Sequence, residues 1–150
     1  MKAHALGRLG AGLAWAWAGV MAAIGGIAAP ALFQLLPRDD AGRVAGRLFQ
    51  VEATVGVCVG AVLVLLALQL GRLRAQVGEG TRFGAELMLA LAAVACIVVG
   101  HHALLPLFEA ARAGQGSVSF GALHALSSGF FALRLVLVAA LAWRLTAPRG

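Results

Sequence analysis

Apolar positions along this chain gather into four uninterrupted runs. Leu9–Pro37, Ala53–Gly71, Leu87–Phe108 and Ala113–Leu133 contain no Asp, Glu, Lys or Arg. About 20 apolar residues suffice to carry a helix across a bilayer. Barrel strands alternate in polarity over about ten residues, and these runs are longer and continuous. Lipid solvates no unpaired backbone, so long apolar runs read as helices. The pattern predicts four, over residues 9–36, 41–71, 84–108 and 118–144. Pro37-Arg38-Asp39-Asp40 separates the first two and offers Asp39 or Asp40 as an N-cap. Val77-Gly78-Glu79-Gly80-Thr81 and Gly114-Gln115-Gly116-Ser117 form the next two loops, and Ser117 or Ser119 caps the fourth helix. Loops this short make sequential helices antiparallel neighbours. The expected fold is an all-α, integral membrane, antiparallel four-helix bundle of one domain.

Composition agrees with that reading. The chain is 61% hydrophobic and 12% charged, against about 25% charged in soluble domains. A soluble fold of 150 residues has too much surface to hide so many apolar side chains. The net charge of +6 does not point to nucleic acid, because the arginines sit in the gaps between runs, where lipid headgroups would hold them. Lys2, Arg8, Arg72, Arg74, Arg82, Arg144 and Arg149 fall on one side; Arg38, Arg43, Arg47 and Arg112 fall on the other. The richer side is expected to be cytoplasmic, with both termini inside. A cleaved signal sequence is disfavoured, because its apolar core is only about 7–15 residues long. Trp15, Trp17 and Trp143 are placed at the cytoplasmic boundary as an aromatic belt. Cys58 and Cys96 read as small packing residues.

Each predicted helix carries a face of small residues, the usual means of close packing in lipid. These are Gly12, Ala16, Gly19, Ala23 and Gly26; Gly56 and Gly60; Ala92, Cys96 and Gly100; and Gly121, Ala125, Ser128 and Ala132. Packing within the bundle is the expected use, with a homodimer interface as the alternative.

The polar exceptions supply the candidate chemistry. Glu52 precedes Gly56 by four residues and shares its face, roughly 16 Å from the start of the second helix. A carboxylate facing a bundle interior is a site candidate, and Arg134, near the middle of the last helix, needs a partner at similar depth. Glu52 and Arg134 are therefore expected to pair, unless Arg134 reaches a headgroup instead. His101, His102 and His124 are expected at one depth in the outer half, where one of His101 and His102 faces inward. They could ligate haem iron or copper, serve a quinone or proton relay, or simply hydrogen-bond near the interface. No metal motif such as HExxH or CxxCH supports a particular ion. Pro30 and Pro106 free carbonyls four residues earlier, at Gly26 and His102, and would open a cavity beside the histidines.

Pro30-Ala31-Leu32-Phe33, Leu35-Leu36-Pro37-Arg38 and the segment Ala41 to Phe49, which includes Arg47, resemble the bacterial family labelled domain of unknown function 4149, whose eukaryotic relatives are the transmembrane protein 205-like proteins. His102-Ala103-Leu104-Leu105-Pro106 and Phe120-x3-His124-Ala125-Leu126-Ser127-Ser128 are similar to its second half. The resemblance implies a small four-helix membrane protein and names no activity. It singles out His102, His124, Pro30, Phe33, Arg47 and Phe49, and selects His102 as the inward histidine. Glu52 and Arg134 depart together from the family pattern, which suits a private ion pair. The expected function is a non-enzymatic binding or accessory component, associated with the bilayer and with other membrane subunits or itself. The alternatives are a redox protein holding haem or copper through His102 and His124, and a small-solute or ion transporter acting as an oligomer.

Overall fold

The computed structural model describes residues 2–79 and 81–147, with the side chain of Lys2 left out. Arg149, one of the basic residues counted above, and Gly80 of the second loop lie outside the described residues. The elements are α1 (Lys2–Ala23), α2 (Ala29–Leu35), α3 (Arg38–Gln76), α4 (Ala85–Ile97), α5 (Leu105–Arg112) and α6 (Phe120–Thr146), with no strand among the described residues. Widened, π-type turns at Ile24–Ala28 and Val98–Ala103 join α1 to α2 and α4 to α5. Four helices result that are long and apolar enough to cross a membrane: Ala3–Leu35, Arg38–Gln76, Ala85–Arg112 and Phe120–Thr146.

The two widened turns have a cause in the sequence. Pro30 and Pro106 occupy the first turns of α2 and α5. A proline ring clashes with the carbonyl four residues earlier and donates nothing to it. A turn with one extra residue relieves the clash without breaking the helix. The helices also run past the bounds set at the first charged residue, because flanking Arg and Asp continue a helix as readily as leucine. Asp39 and Asp40 accordingly sit in the first turn of α3, not at its cap, which is Pro37. There they face the positive end of the helix dipole. Ser119 caps α6 by accepting the Ala122 N–H at 3.2 Å. Gly78 and Gly114 take the left-handed conformation that ends α3 and α5.

Packing closes a ring: α1 lies against α3, α3 against α4, α4 against α6, and α6 against α1. Buried Ala14, Trp17 and Met21 of α1 meet Leu63 of α3, Ala93 and Ile97 of α4, and Val138 and Leu141 of α6. Large apolar side chains also cover the outside, among them Leu35 (81% exposed), Ile27, Leu65 and Val136.

The small-residue faces divide, against expectation. Gly56, Gly60, Cys96 and Gly100 are buried. The face of α1 (Gly12, Ala16, Gly19, Ala23), continued by Gly26 in the turn after it, and that of α6 (Gly121, Ala125, Ser128, Ala132) point outward. The reason is Trp17. It needs the inward side of α1, so the stripe of small residues is turned away from the core. Cys58 is exposed and Cys96 buried, both as free thiols.

Candidate functional site

Glu52 sits on α3 at 4% exposure, on the same buried face as Ala53, Gly56 and Gly60. Its two carboxylate oxygens take different partners. Oε1 accepts the indole N–H of Trp17 at 3.0 Å. Oε2 pairs with Nη2 of Arg134, itself 4% exposed. The Arg134 guanidinium also lies 5.2 Å from the ring centre of Phe131 and 5.9 Å from that of Trp17. The cluster thus joins α1, α3 and α6.

Glycines make the room. A Cβ on Gly56 would come 3.1 Å from the Trp17 ring and 3.2 Å from Ile97 of α4, and one on Gly60 would come 2.6 Å from Val94 of α4. The Gly56–Gly60 face is therefore a notch for an indole and for two α4 side chains. Trp17 is 5% exposed and packed inside the bundle rather than on its surface, whereas Trp143 is 68% exposed. With α1 beginning at Lys2, Trp17 stands about 22 Å along the helix, well away from its end.

This arrangement is a locked polar core. Two opposite charges buried together attract strongly but lose their hydration, so such pairs fix geometry more than they stabilise. Flanking aromatic faces partly replace the lost water for the cation. One donor, Arg134 Nε, is buried without a hydrogen-bond partner. A buried orphan of this kind costs free energy and is a natural seat for a water.

The histidines are exposed in a different order from the one the sequence suggests. His101 is half-buried and His102 exposed, the reverse of the expected order. Both lie in the widened turn, which advances each residue by less than the ordinary helical angle and so rotates the pair. Their rings meet edge to face at 5.1 Å. His124 is exposed and stacks parallel to Phe120 at 6.5 Å. Among the described residues no group of three or more His, Cys, Asp or Glu is placed to hold a metal.

The space beside the widened turn is filled. Ser127 Oγ donates to the Gly100 carbonyl at 2.9 Å, and a Cβ on Gly100 would stand 2.4 Å from Phe130 Cβ. Phe49 meets Phe131 edge to face at 5.1 Å. Arg47 is exposed and donates to Gln50 at 2.9 Å. Phe33, Pro30 and Pro106 are exposed.

A second charged cluster went unread in the sequence. Buried Glu86, on the first turn of α4, directs Oε1 towards Arg74 of α3 at 3.5 Å and Arg144 of α6 at 3.8 Å. Its signal was faint, because Glu86 lies one residue before a charge-free run and the two arginines looked like anchors only.

No curated protein and no solved structure matches the chain. A family model does match, over residues 12–117, a stretch that takes in Trp17, Glu52, Glu86 and His102 and stops short of α6. That match covers more than half of the sequence, and the chain belongs to this family, described as Domain of unknown function (DUF4149).

Proposed function

We propose that this protein is a multi-pass component of a bacterial inner membrane, a single antiparallel four-helix domain with both termini cytoplasmic, acting as a binding or accessory subunit. The observation that carries the reading is the inverted distribution of polarity. Glu52 and Arg134 are sealed inside while leucines, isoleucines and valines cover the outside. Water would penalise that surface, and a hydrocarbon solvent accepts it. Gly10 near the start of α1, where an added Cβ would stand 3.3 Å from Leu145 at the end of α6, together with Glu86 joining α3, α4 and α6, supports the antiparallel order and a shared end for Arg8, Arg74 and Arg144.

The binding or accessory role is supported by the centre and the flanks. The centre is closed by Trp17, Glu52 and Arg134, which suits a rigid scaffold better than a transport path. The outward small-residue faces of α1 and α6 suit close approach of another helix. A haem or copper ion held by His102 and His124 would sit at the outer surface, since both are exposed.

The test is purification from membranes in a mild detergent. Retention in the membrane through alkaline carbonate washing and co-purification with larger membrane subunits, or with a second copy, support the proposal. Release by carbonate overturns the membrane assignment. An absorption band or bound copper that disappears in His124→Ala replaces the accessory role with the redox one.

A further inference from the structure

At the end of the bundle where α3 stops and α4 starts, the structure holds a polar cavity of about 240 Å3. Arg74, Arg144, Glu79, Glu86, Thr81 and Gly71 are among the residues that line it. This volume falls below the range of drug-sized sites. It fits a small charged group.

The two carboxylates differ in depth: Glu86 is buried and Glu79 is exposed. Arg74 and Arg144 both approach one oxygen of Glu86, so two guanidiniums share one buried carboxylate there. This group of three keeps a net positive charge. A guanidinium has five N–H donors in a planar fork suited to phosphate, and one carboxylate oxygen leaves most of them for another acceptor. Glu86, in the first turn of α4, lies at the uncapped start of that helix and answers its positive dipole end. Glu79 lies on the rim as an exposed carboxylate. A plain anion in the cavity would be opposed by Glu79. A ligand with a phosphate and an ammonium would satisfy both sides.

The shape depends on one glycine. A Cβ on Gly71 would stand 2.7 Å from the Arg82 carbonyl oxygen, so only glycine lets the loop after α3 fold down over the helix end. The loop thereby forms a wall of the cavity and brings Thr81 to it.

We infer that this cavity is a binding site for a zwitterionic phosphoethanolamine group, its phosphate on Arg74 and Arg144 and its ammonium on Glu79. Glu86 holds the two arginines in place. The inference rests on the membrane reading above, under which the cavity opens at headgroup level, where basic pockets between helices engage lipid. The same chemistry could be presented by phosphatidylethanolamine or by a soluble phosphoethanolamine compound.

Delipidated protein in detergent, its helicity verified by circular dichroism, is titrated with phosphatidylethanolamine, phosphatidylglycerol and free phosphoethanolamine. Native mass spectrometry and thermal shift give the readouts. Phosphatidylethanolamine is expected to bind in preference to phosphatidylglycerol. Arg144→Gln, at a half-exposed side chain whose loss leaves Arg74 on Glu86, should weaken both lipids about tenfold. Glu79→Gln should abolish the preference while keeping phosphate binding. Competition by free phosphoethanolamine with the same dependence on Arg144 and Glu79 supports the chemistry and assigns the source as soluble. Equal binding of the two lipids by the unmodified protein overturns the inference, as does absence of binding, or binding indifferent to both substitutions. Carbonate extraction of the same samples reads the membrane assignment separately, so a protein that stays in the membrane but takes no phosphoethanolamine sinks only the cavity proposal.

Discussion

The guanidinium of Arg134 pairs with the carboxylate of Glu52, 82 residues earlier in the chain, and ties α6 to α3. Neither group is tolerable alone at this burial. An unpartnered charge left behind in a dry interior costs more than the pair itself contributes. Glu52→Gln or Arg134→Gln singly should therefore lower unfolding free energy by about 3–5 kcal/mol. The double change to amides should be less harmful than the sum of the two, because it removes both charges together. Chemical unfolding of the four proteins in detergent measures the coupling. A double variant as unstable as that sum would show the two residues to be energetically independent.

Trp17 gives Glu52 its second partner, and its role separates into shape and hydrogen bond. Trp17→Phe keeps an aromatic ring in the glycine notch but leaves Glu52 Oε1 without the indole N–H. The expected loss is about 1–3 kcal/mol. Trp17→Ala empties the notch as well and should cost about 3–5 kcal/mol, by lost burial and an unfilled cavity. Thermal unfolding followed by circular dichroism distinguishes them: equal losses would show that filling the notch contributes little, and an unchanged Trp17→Phe that the hydrogen bond does.

How much of this was readable from sequence differs residue by residue. The four long helices were legible because charge-free runs of helix length leave few alternatives. The Glu52–Arg134 contact was anticipated because two opposite charges in apolar runs have few other partners. Trp17 was hidden by its type. Tryptophan near a helix end suggests an interface, and two faces of α1 both repeat at three and four residues. Only the size match with Gly56 and Gly60 distinguishes the buried one. The order of His101 and His102 was inverted because Pro106, three positions beyond the turn, widens it, and a uniform helical angle then fails. Glu86 was missed because its partners come from helix ends far apart in sequence.

The same widened turn predicts a steric hierarchy among buried glycines. At Gly100 an added methyl would meet Phe130 Cβ, an atom fixed close to its backbone. At Gly60 it would meet a γ-methyl of Val94, which a rotamer change can move. Gly100→Ala should be the more damaging, by about 1–3 kcal/mol of overpacking strain. It should also weaken the Ser127 contact to the Gly100 carbonyl. Comparison of denaturation midpoints tests the order, and a reversed order would place the rigid contact at Val94.

The exposed histidines lead to the opposite expectation. His102→Ala and His124→Ala remove side chains with ring neighbours but no buried hydrogen bond. Each should change stability by no more than about 0.5 kcal/mol. A larger destabilisation, measured in the same unfolding assay, would mean that the two rings take part in packing or ligation beyond the contacts with His101 and Phe120.

Inward and outward glycines can be told apart by what a large side chain does to each. Gly56→Leu would drive four carbons into Trp17 and Ile97 and should prevent the bundle from closing. Gly19 has open space where its Cβ would be, so Gly19→Leu should leave the isolated bundle as helical and as stable as before. The two outcomes separate when association is measured. If α1 presents its small-residue face to another helix, Gly19→Leu separates the protein from that neighbour, because small residues allow backbones to approach and leucine holds them apart. Cross-linking in native membranes, before and after the substitution, reads this directly. An unchanged cross-linking pattern would assign the outward face of α1 to lipid, and association would then have to be sought on the matching face of α6.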